Sequence, residues 1–220
     1  MTNNPYPGKF IVFEGLDGSG QSTQTDLLKN FLTEKGFEVI LTKEPTKDSQ
    51  ASREIRETLD KKIKITPQKL QELFTQDRRE HLENLIIPAL QKGKMVISDR
   101  YFFSTFAYGA SGGIDLEWLI KINNEFLLPD STIILKVSSE ICLSRIEKRG
   151  EGIKLFEKVE KLKKVWQTYE VLPARFENVY MIDGEVLPAR FENVYMIDGE
   201  KTIEEVFSEV KSLVHSKLNL

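Results

Sequence analysis

The stretch KFIVFEGLDGSGQSTQ, residues 9–24, predicts a strand, a glycine-rich turn and the start of a helix, in that order. Residues 9–14 form a short apolar run bounded by glycine, which is typical of a buried strand. After the turn, Leu27, Leu28 and Phe31 recur at helical spacing. Glycines let backbone N–H groups approach phosphate oxygens, and a helix N-terminus adds partial positive charge. The stretch therefore predicts a polyphosphate-binding loop; the alternative is a tight turn that binds no ligand.

The loop matches the phosphate-binding pattern G-x-x-x-x-G-K-[ST] except at one position, where Gln21 replaces the lysine. Glutamine can donate a hydrogen bond but brings no charge. The residues that we expect to bind the phosphates of a nucleotide are Gly15, Gly18, Ser19, Gly20, Gln21, Ser22 and Thr23.

The composition limits the function classes. The 220 residues suffice for one substantial core and require no second domain, so we expect a single domain over residues 1–220. A charged fraction of 30% with both signs mixed indicates a soluble globular protein. A net charge of -3 argues against a general nucleic-acid binder.

Cysteine usage and hydropathy indicate the compartment. The only cysteine, Cys142, can form no internal disulfide, which fits a reducing compartment, and we expect it to be a small core residue. No apolar stretch is long enough to span a membrane, and residues 1–8 do not resemble a signal peptide. We therefore expect a cytoplasmic protein with no membrane partner. His81 and His215 are too distant in sequence for an obvious metal site.

Strands and helices are predicted to alternate along the chain. Further strands are predicted at 37–42, 95–98 and 131–137, with a last one near the C-terminus. An exposed charged helix is predicted at 49–62, a long helix from 66 to about 88, and a helix capped by Ser139 that runs to about 148. Further helices are predicted at 101–109, 115–126 and 202–213. This alternation predicts a three-layer α/β fold, with a parallel sheet of five strands covered by helices on both faces.

Ligands of such sheets bind at the carboxyl ends of the strands. The phosphate loop, Lys43-Glu44-Pro45 and Asp99-Arg100 all fall at that edge. Asp99 can hold Mg²⁺ and Arg100 can grip phosphate with two hydrogen bonds, although a surface ion pair is the alternative. This convergence predicts an enzyme site.

Two further segments are candidates for ligand contact. Residues 145–154, RIEKRGEGIK, are basic and hinged by glycine, which is typical of a lid over polyphosphate; a solvated charged loop is the alternative. Phe74 and Arg78 lie four residues apart on one helical face and could stack on and read a base. A core phenylalanine beside a surface arginine is the simpler interpretation of that pair.

The segment VLPARFENVYMIDGE occurs twice in tandem, at residues 171–185 and 186–200. Identity over fifteen residues indicates a recent or deliberate duplication rather than a diverged structural repeat. The fold needs one last strand here, and the two copies compete for it. Lengthening a surface loop costs only about 0.6 kcal/mol per doubling, so the fold should survive. We expect Val194–Asp198 to supply the strand, because the second copy keeps the junction to the final helix.

Taken together, the segments resemble the thymidylate kinases, a family of P-loop nucleoside monophosphate kinases. The matching stretches, in the family's order and spacing, are FEGLDGSGQSTQ, TKEPT, LFTQDRREH, DRYFFSTFAYG and RIEKRG. The resemblance covers nearly the whole chain. It implies a P-loop NTPase fold, transfer of the γ-phosphoryl group of ATP to dTMP with Mg²⁺, and a homodimer.

The resemblance also implies roles for individual residues. The donor and metal side would use Thr23 for phosphate and Ser22 and Asp99 for Mg²⁺. Catalysis would use Asp17, Arg100 and two lid arginines, Arg145 and Arg149, in a lid over about 145–156. The residues implied to bind dTMP are Asp17, Lys43, Glu44, Pro45, Phe74, Arg78, Arg100, Ser104 and Tyr108.

Three departures from the family pattern leave alternatives open. Gln21 removes one preorganised charge, and losing such a contact typically costs about 10²–10³ in rate. Lys43 stands where many relatives have arginine, and Gly109 where they often have a polar side chain. A slow or compensated kinase is expected; the alternatives are a kinase with another acceptor and a nucleotide-binding protein with weakened catalysis.

Overall fold

The computed structural model describes residues 1–148, 155–175, 177–180 and 190–218. The strands are β1 Lys9–Gly15, β2 Val39–Lys43, β3 Met95–Asp99, β4 Ser131–Lys136, β5 Glu177–Tyr180 and β6 Arg190–Asp198. The helices are α1 Gln21–Glu34, α2 Gln50–Leu59, α3 Pro67–His81, α4 Ile87–Gln91, α5 Phe102–Ser111, α6 Leu116–Ile122, α7 Ser139–Glu147, α8 Leu155–Arg175 and α9 Ile203–Leu218, with a π-helical turn, Leu82–Ile86, between α3 and α4.

The strands form one parallel sheet in the order β2-β3-β1-β4-β6-β5. The parallel α/β fold is confirmed, and five of its strands are the predicted ones. A sixth, β5, adds to the edge beyond β6, so the expected count of five is one too low. The extra strand comes from the first copy of the repeat.

Alternate residues of β1 face opposite layers of helices. Phe10 and Val12 pack in a core cluster that includes residues of α5 and α8. Ile11 and Phe13 pack in a second cluster with residues of α1 and α9. A strand that is buried on both faces reads as a continuous apolar run, as this one does. The sheet is therefore the middle of three layers.

Three helices differ from the sequence-based expectation. The segment expected to be an exposed charged helix is α2, which buries Ala51 and Ile55 in a small cluster against Leu73 of α3. The long helix from Pro67 changes to a π-helical turn before Pro88, because proline has no N–H for the carbonyl four residues earlier. Helix α7 begins at Ser139, and its N-cap residue is Ser138, whose side chain makes no capping hydrogen bond.

The second copy of the repeat supplies the strand beside β4. Val194 to Asp198 of β6 pair with Thr132 to Lys136 of β4, which agrees with the expectation. The first copy continues α8 and then forms β5, in which Val179 pairs with Val194 and Tyr180 with Tyr195. These two pairs join the same positions of the two copies, whereas Glu177 pairs with Arg190 across a shift in register.

In the described part of the chain, none of the helices combines the length and apolar character needed to cross a membrane.

Candidate active site

The turn between β1 and α1 has the backbone of a phosphate-binding loop. Gly18 has a φ of 87°, and a Cβ there would lie 2.5 Å from the carbonyl oxygen of Cys142, so only glycine fits. Gly20, with a φ of 100°, is the N-cap of α1 and offers no side-chain hydrogen bond to the helix. The first N–H groups of α1 are thus left for an anion.

Gln21 occupies the lysine position of this loop and is turned inward. Its side chain is 5% exposed, and Nε2 donates to the carbonyl oxygen of Gly15 at 3.3 Å. It therefore braces the loop and contributes no positive charge to the site.

Strand β2 supplies a cation, Lys43, near the phosphate loop that lacks the usual lysine. Lys43 Nζ and Ser22 Oγ each donate to Asp99 Oδ2 at 2.6 Å. The other oxygen, Asp99 Oδ1, is buried and makes no hydrogen bond within the described residues. The ends of β2 and β3 and the first turn of α1 thus meet here, with an ammonium group, a carboxylate and a hydroxyl in contact.

This cluster suits the magnesium ion that the family resemblance implies. A serine hydroxyl and a carboxylate with a spare buried oxygen are hard oxygen ligands. No group of three or more His, Cys, Asp or Glu side chains among the described residues could hold a metal. Ser22 and Asp99 therefore fit a Mg²⁺ that keeps water and phosphate ligands rather than one caged by protein.

The acidic and basic groups predicted for the acceptor side are also brought together. Arg100 Nη2 donates to Asp17 Oδ1 at 2.7 Å, and the guanidinium carbon lies 5.3 Å from the Tyr108 ring centroid. Tyr108 Oη accepts from the N–H of Asp17 at 3.0 Å. Arg100 has a φ of 77°, an unusual value for a residue with a side chain, and such strain is concentrated at functional sites.

These groups line one cavity of about 510 Å³. Its walls include the phosphate loop, Lys43, Arg100 and Tyr108. Lys161 of α8 also lines it and was missed by the sequence analysis, because nothing around it distinguishes one lysine in a charged helix. The cavity holds both the predicted phosphate site and the predicted acceptor arginine.

Ser104 links Arg100 to a buried carboxylate that the sequence analysis also missed. Ser104 Oγ accepts from Arg100 Nη1 at 2.8 Å and donates to Oε2 of Glu14. Burial raises the pKa of Glu14 to about 7, opposed by hydrogen bonds from Ser104 and the charge of Arg100. Glu14 stands within the apolar strand of the loop motif, and its position alone carries no signal.

The predicted base-reading pair lies apart from this cavity's walls. Phe74 is half-buried against the small cluster of α2 and α3. Arg78 is 1% exposed, and its guanidinium donates to Glu44 at 2.8 Å, Thr105 at 3.0 Å and Asn123 at 2.5 Å. The interpretation of Arg78 as a surface arginine is therefore wrong. Inside the protein, Glu44 neutralises the charge of its guanidinium, and Thr105 and Asn123 help to orient it.

Gly109 packs between two helices. A Cβ at this position would lie 2.8 Å from Leu119 Cδ1 and 3.2 Å from Gln71 Cδ. The absence of a side chain at Gly109 is thus explained by packing of α5 against α3 and α6.

Glu44 is a buried acceptor rather than a lining residue. It is 4% exposed, and besides Arg78 it contacts His81, whose Nδ1 lies 3.1 Å from Oε1. Pro45 follows through a cis peptide bond and lines a second cavity of about 770 Å³, which adjoins the first at Ser22 and Lys43. His81 is thus part of a buried polar network with Glu44.

The two predicted lid arginines have different outcomes. Arg145 donates to the carbonyl oxygens of Ser19 at 3.3 Å and Gly199 at 3.1 Å, so it braces the back of the phosphate loop. Arg149, with the rest of residues 149–154 of the predicted lid, lies outside the described residues.

Comparison with known proteins agrees with the resemblance. A sequence model described as thymidylate kinase matches residues 13–188. A probable thymidylate kinase of Pyrococcus horikoshii is 37% identical over 216 residues, covering 96% of this chain and 98% of the relative. A thymidylate kinase of Desulfotalea psychrophila is 43% identical, and the match covers 75% of this chain and 81% of the relative. A thymidylate kinase of Caldicellulosiruptor saccharolyticus is 35% identical, and the match covers 96% of this chain and 98% of the relative. The chain therefore belongs to the thymidylate kinase family.

Proposed function

We propose that this protein transfers the γ-phosphoryl group of ATP to dTMP, giving dTDP and ADP. The observation that carries the proposal is the single cavity of about 510 Å³ that joins the phosphate loop to the Arg100–Asp17 pair. Phosphoryl transfer requires little covalent chemistry from the protein, and it depends on holding donor and acceptor in line and on stabilising charge. Membership of the thymidylate kinase family supports dTMP as the acceptor.

The donor is held by the loop and the start of α1. Backbone N–H groups around Gly18 and Gly20 bind the phosphates of ATP, and Thr23 contributes at the first turn of the helix. The positive charge that Gln21 lacks comes from Lys43, whose ammonium group lies at Asp99 beside Ser22. Lys161 lines the same cavity and adds a second cation.

The acceptor is held on the opposite side of the cavity. Arg100 binds the phosphate of dTMP with its guanidinium, which the Asp17 carboxylate and the Tyr108 ring orient. Tyr108 limits the space beside the sugar. The family resemblance assigns the base to Phe74 and Arg78, which lie outside the walls of this cavity, and Glu44 and Thr105 fix the guanidinium of Arg78.

Mg²⁺ would be held by Ser22 and Asp99. When bound with ATP, it supplies the charge that neutralises the phosphate oxygens during transfer. The Ser22–Asp99 hydrogen bond of 2.6 Å keeps both ligands together beforehand.

The test is a panel of acceptors in an assay of ADP release with ATP and Mg²⁺. We expect kcat/KM to fall in the order dTMP, dUMP, UMP, with about ten-fold or more for loss of the base methyl group. Thymidine should not be phosphorylated, because it offers Arg100 no phosphate. A preference for thymidine over dTMP would refute the proposal, and ATP binding without turnover would favour the nucleotide-binding alternative that Gln21 raises.

A homodimer and a cytoplasmic location are also proposed. Both rest on the family resemblance and, for the location, on the single cysteine of the sequence, Cys142, which is buried. Sedimentation velocity over a range of protein concentrations tests the dimer.

A further inference from the structure

Glu14 is a fully buried carboxylate at the carboxyl end of β1, and phosphate binding and transfer as described above do not use it. Its Oε1 accepts from the backbone N–H groups of Tyr101 at 3.0 Å and Ser104 at 3.1 Å. These N–H groups belong to the first turn of α5, whose N-cap residue, Tyr101, gives no side-chain cap. A carboxylate from the neighbouring strand therefore caps α5 and fixes the turn that carries Arg100.

The second oxygen of Glu14 gathers two hydroxyl groups. Ser104 Oγ donates to Oε2 and itself accepts from Arg100 Nη1. Tyr169 Oη donates to the same oxygen at 3.0 Å, from a ring that is 0% exposed. Tyr169 belongs to α8, the helix that follows the predicted lid segment. One carboxylate thus accepts four hydrogen bonds from α5 and α8.

We propose that Glu14 is a positioning residue that, as the carboxylate, holds Arg100 in place through Ser104 and ties α8 to the same turn through Tyr169. The inference rests on the proposed function in one respect, that Arg100 binds the acceptor phosphate. With this coupling, the position of Arg100 in the acceptor site depends on the packing of α8 against α5. Loss of either hydroxyl group on Oε2, that of Ser104 or that of Tyr169, weakens that coupling.

Titration of Glu14 gives the coupling a signature. The charged and titratable groups around it are Arg100 and Tyr108 at α5, Asp17 of the loop and Tyr169 of α8. Burial raises the pKa of Glu14 to about 7. The carboxylate accepts its four hydrogen bonds from the N–H groups of Tyr101 and Ser104 and the hydroxyl groups of Ser104 and Tyr169. Protonation of Glu14 therefore forces at least one of these hydroxyl groups to turn round. The cluster is therefore complete above about pH 7 and incomplete below it.

Trp166 reports on α8 in the experiment. Its ring lies 6.0 Å from the Tyr169 ring, and the only other tryptophan, Trp118, is removed by Trp118→Phe. Fluorescence of the substrate-free protein is titrated from pH 5.5 to 9 in this background. We expect a step near pH 7 that is absent in Glu14→Gln and lost or much reduced in Tyr169→Phe. Glu170→Gln, which changes the carboxylate bonded to the Trp166 indole, is the matched control and should keep the step.

Kinetics test the link to Arg100. Glu14→Gln and Ser104→Ala should each raise KM for dTMP about ten-fold, as expected for one weakened charged contact, with KM for ATP changed less than about two-fold. An unchanged fluorescence step in Glu14→Gln, or equal effects on both KM values, would overturn the proposal. If Glu14→Gln does not fold, the fluorescence titration and the KM measurements are made on Tyr169→Phe instead. If the parent does not use dTMP at all, the proposed function fails, while the titration still decides the role of Glu14.

Discussion

At the scale of single residues, the main departure from the phosphate-loop pattern is a charge that has moved. Gln21 is turned toward Gly15, and the cation beside Ser22 and Asp99 is Lys43 from β2. Preorganised charge in such a site is typically worth about 10²–10³ in rate. The account therefore assigns to Lys43 part of the role that a lysine at position 21 would have.

Exchange of these two residues tests that assignment. Lys43→Gln should lower kcat/KM for ATP by about 10²-fold, and adding Gln21→Lys to it should recover part of the loss. Lys29→Gln, the same change on the exposed face of α1, is the control and should have little effect. An ADP-release assay would contradict this role of Lys43 if Lys43→Gln had the same kcat/KM for ATP as the parent. It would also do so if adding Gln21→Lys to Lys43→Gln gave no gain in kcat/KM.

The buried Glu14 predicts an unusual pH dependence of stability. Its pKa is about 7 in the folded protein against 4.5 for an unburied glutamate, so the folded state binds a proton that the unfolded state releases between these values. The free energy of unfolding should therefore fall as pH rises from about 4.5 to 7, by about 3 kcal/mol from this group. Urea unfolding at several pH values should show the slope in the parent and not in Glu14→Gln. Glu72→Gln, at an exposed site, should keep it.

The sequence predicts the residues of local motifs better than their distant partners. Asp99, Arg100 and Ser22 were predicted because strand ends and the loop pattern place them at one edge of the sheet, and Asp17 because the family resemblance implies it. Glu14 and its partner Tyr169 are 155 residues apart, and no local pattern joins them. Thr105 and Asn123, which hold Arg78, were missed for the same reason.

At the scale of elements, a buried carboxylate of α3 fastens the loop after β2. Asp77 is 1% exposed and accepts from the N–H of Thr46 at 2.8 Å, the hydroxyl of Thr46 and the hydroxyl of Ser49 at 2.6 Å. Ser49 is in turn the N-cap of α2. One side chain thus fixes α2, α3 and the segment that carries Lys43 to Pro45.

Asp77→Asn should destabilise the protein by about 1–3 kcal/mol, because an amide cannot accept all three hydrogen bonds and its own donors would be buried without partners. Guanidinium unfolding measures the effect. Glu72→Gln, one turn earlier on the exposed side of α3, should stay within about 0.5 kcal/mol of the parent. Equal stability of the two variants would show that Asp77 does not fasten these elements.

Most elements could be predicted because apolar runs and helical periodicity recur along the chain and are separated by residues typical of turns. The buried face of α2 was missed because four of its ten residues are charged and only Ala51, Ser52 and Ile55 are buried. The π-helical turn was missed because Pro88 predicts a break without fixing its form. Local pattern thus predicts where elements are, and packing decides their faces and ends.

At the scale of the whole molecule, the duplicated segment extends the sheet without displacing its central strands. β6 lies between β4 and β5, and Val179 and Tyr180 of the first copy pair with the same positions of the second. The sequence pattern does not choose the place of the displaced copy, because both copies carry the same apolar sequence and only one position beside β4 exists.

Hydrogen exchange should distinguish the two copies. Amides of Val194–Asp198 should be strongly protected because β6 is paired on both sides, whereas those of Glu177–Tyr180 at the edge should exchange faster. Deletion of residues 186–200 should leave a folded protein of similar stability, since one copy still supplies the strand beside β4. Protection confined to the first copy would contradict the arrangement.

Phosphoryl transfer to dTMP is tested directly by product analysis by ³¹P NMR of the 220-residue chain with ATP, Mg²⁺ and dTMP. We expect dTDP and ADP to appear in equal amounts, and neither to form when dTMP is omitted. ADP without dTDP, or no turnover from a chain that binds ATP, would contradict transfer to dTMP.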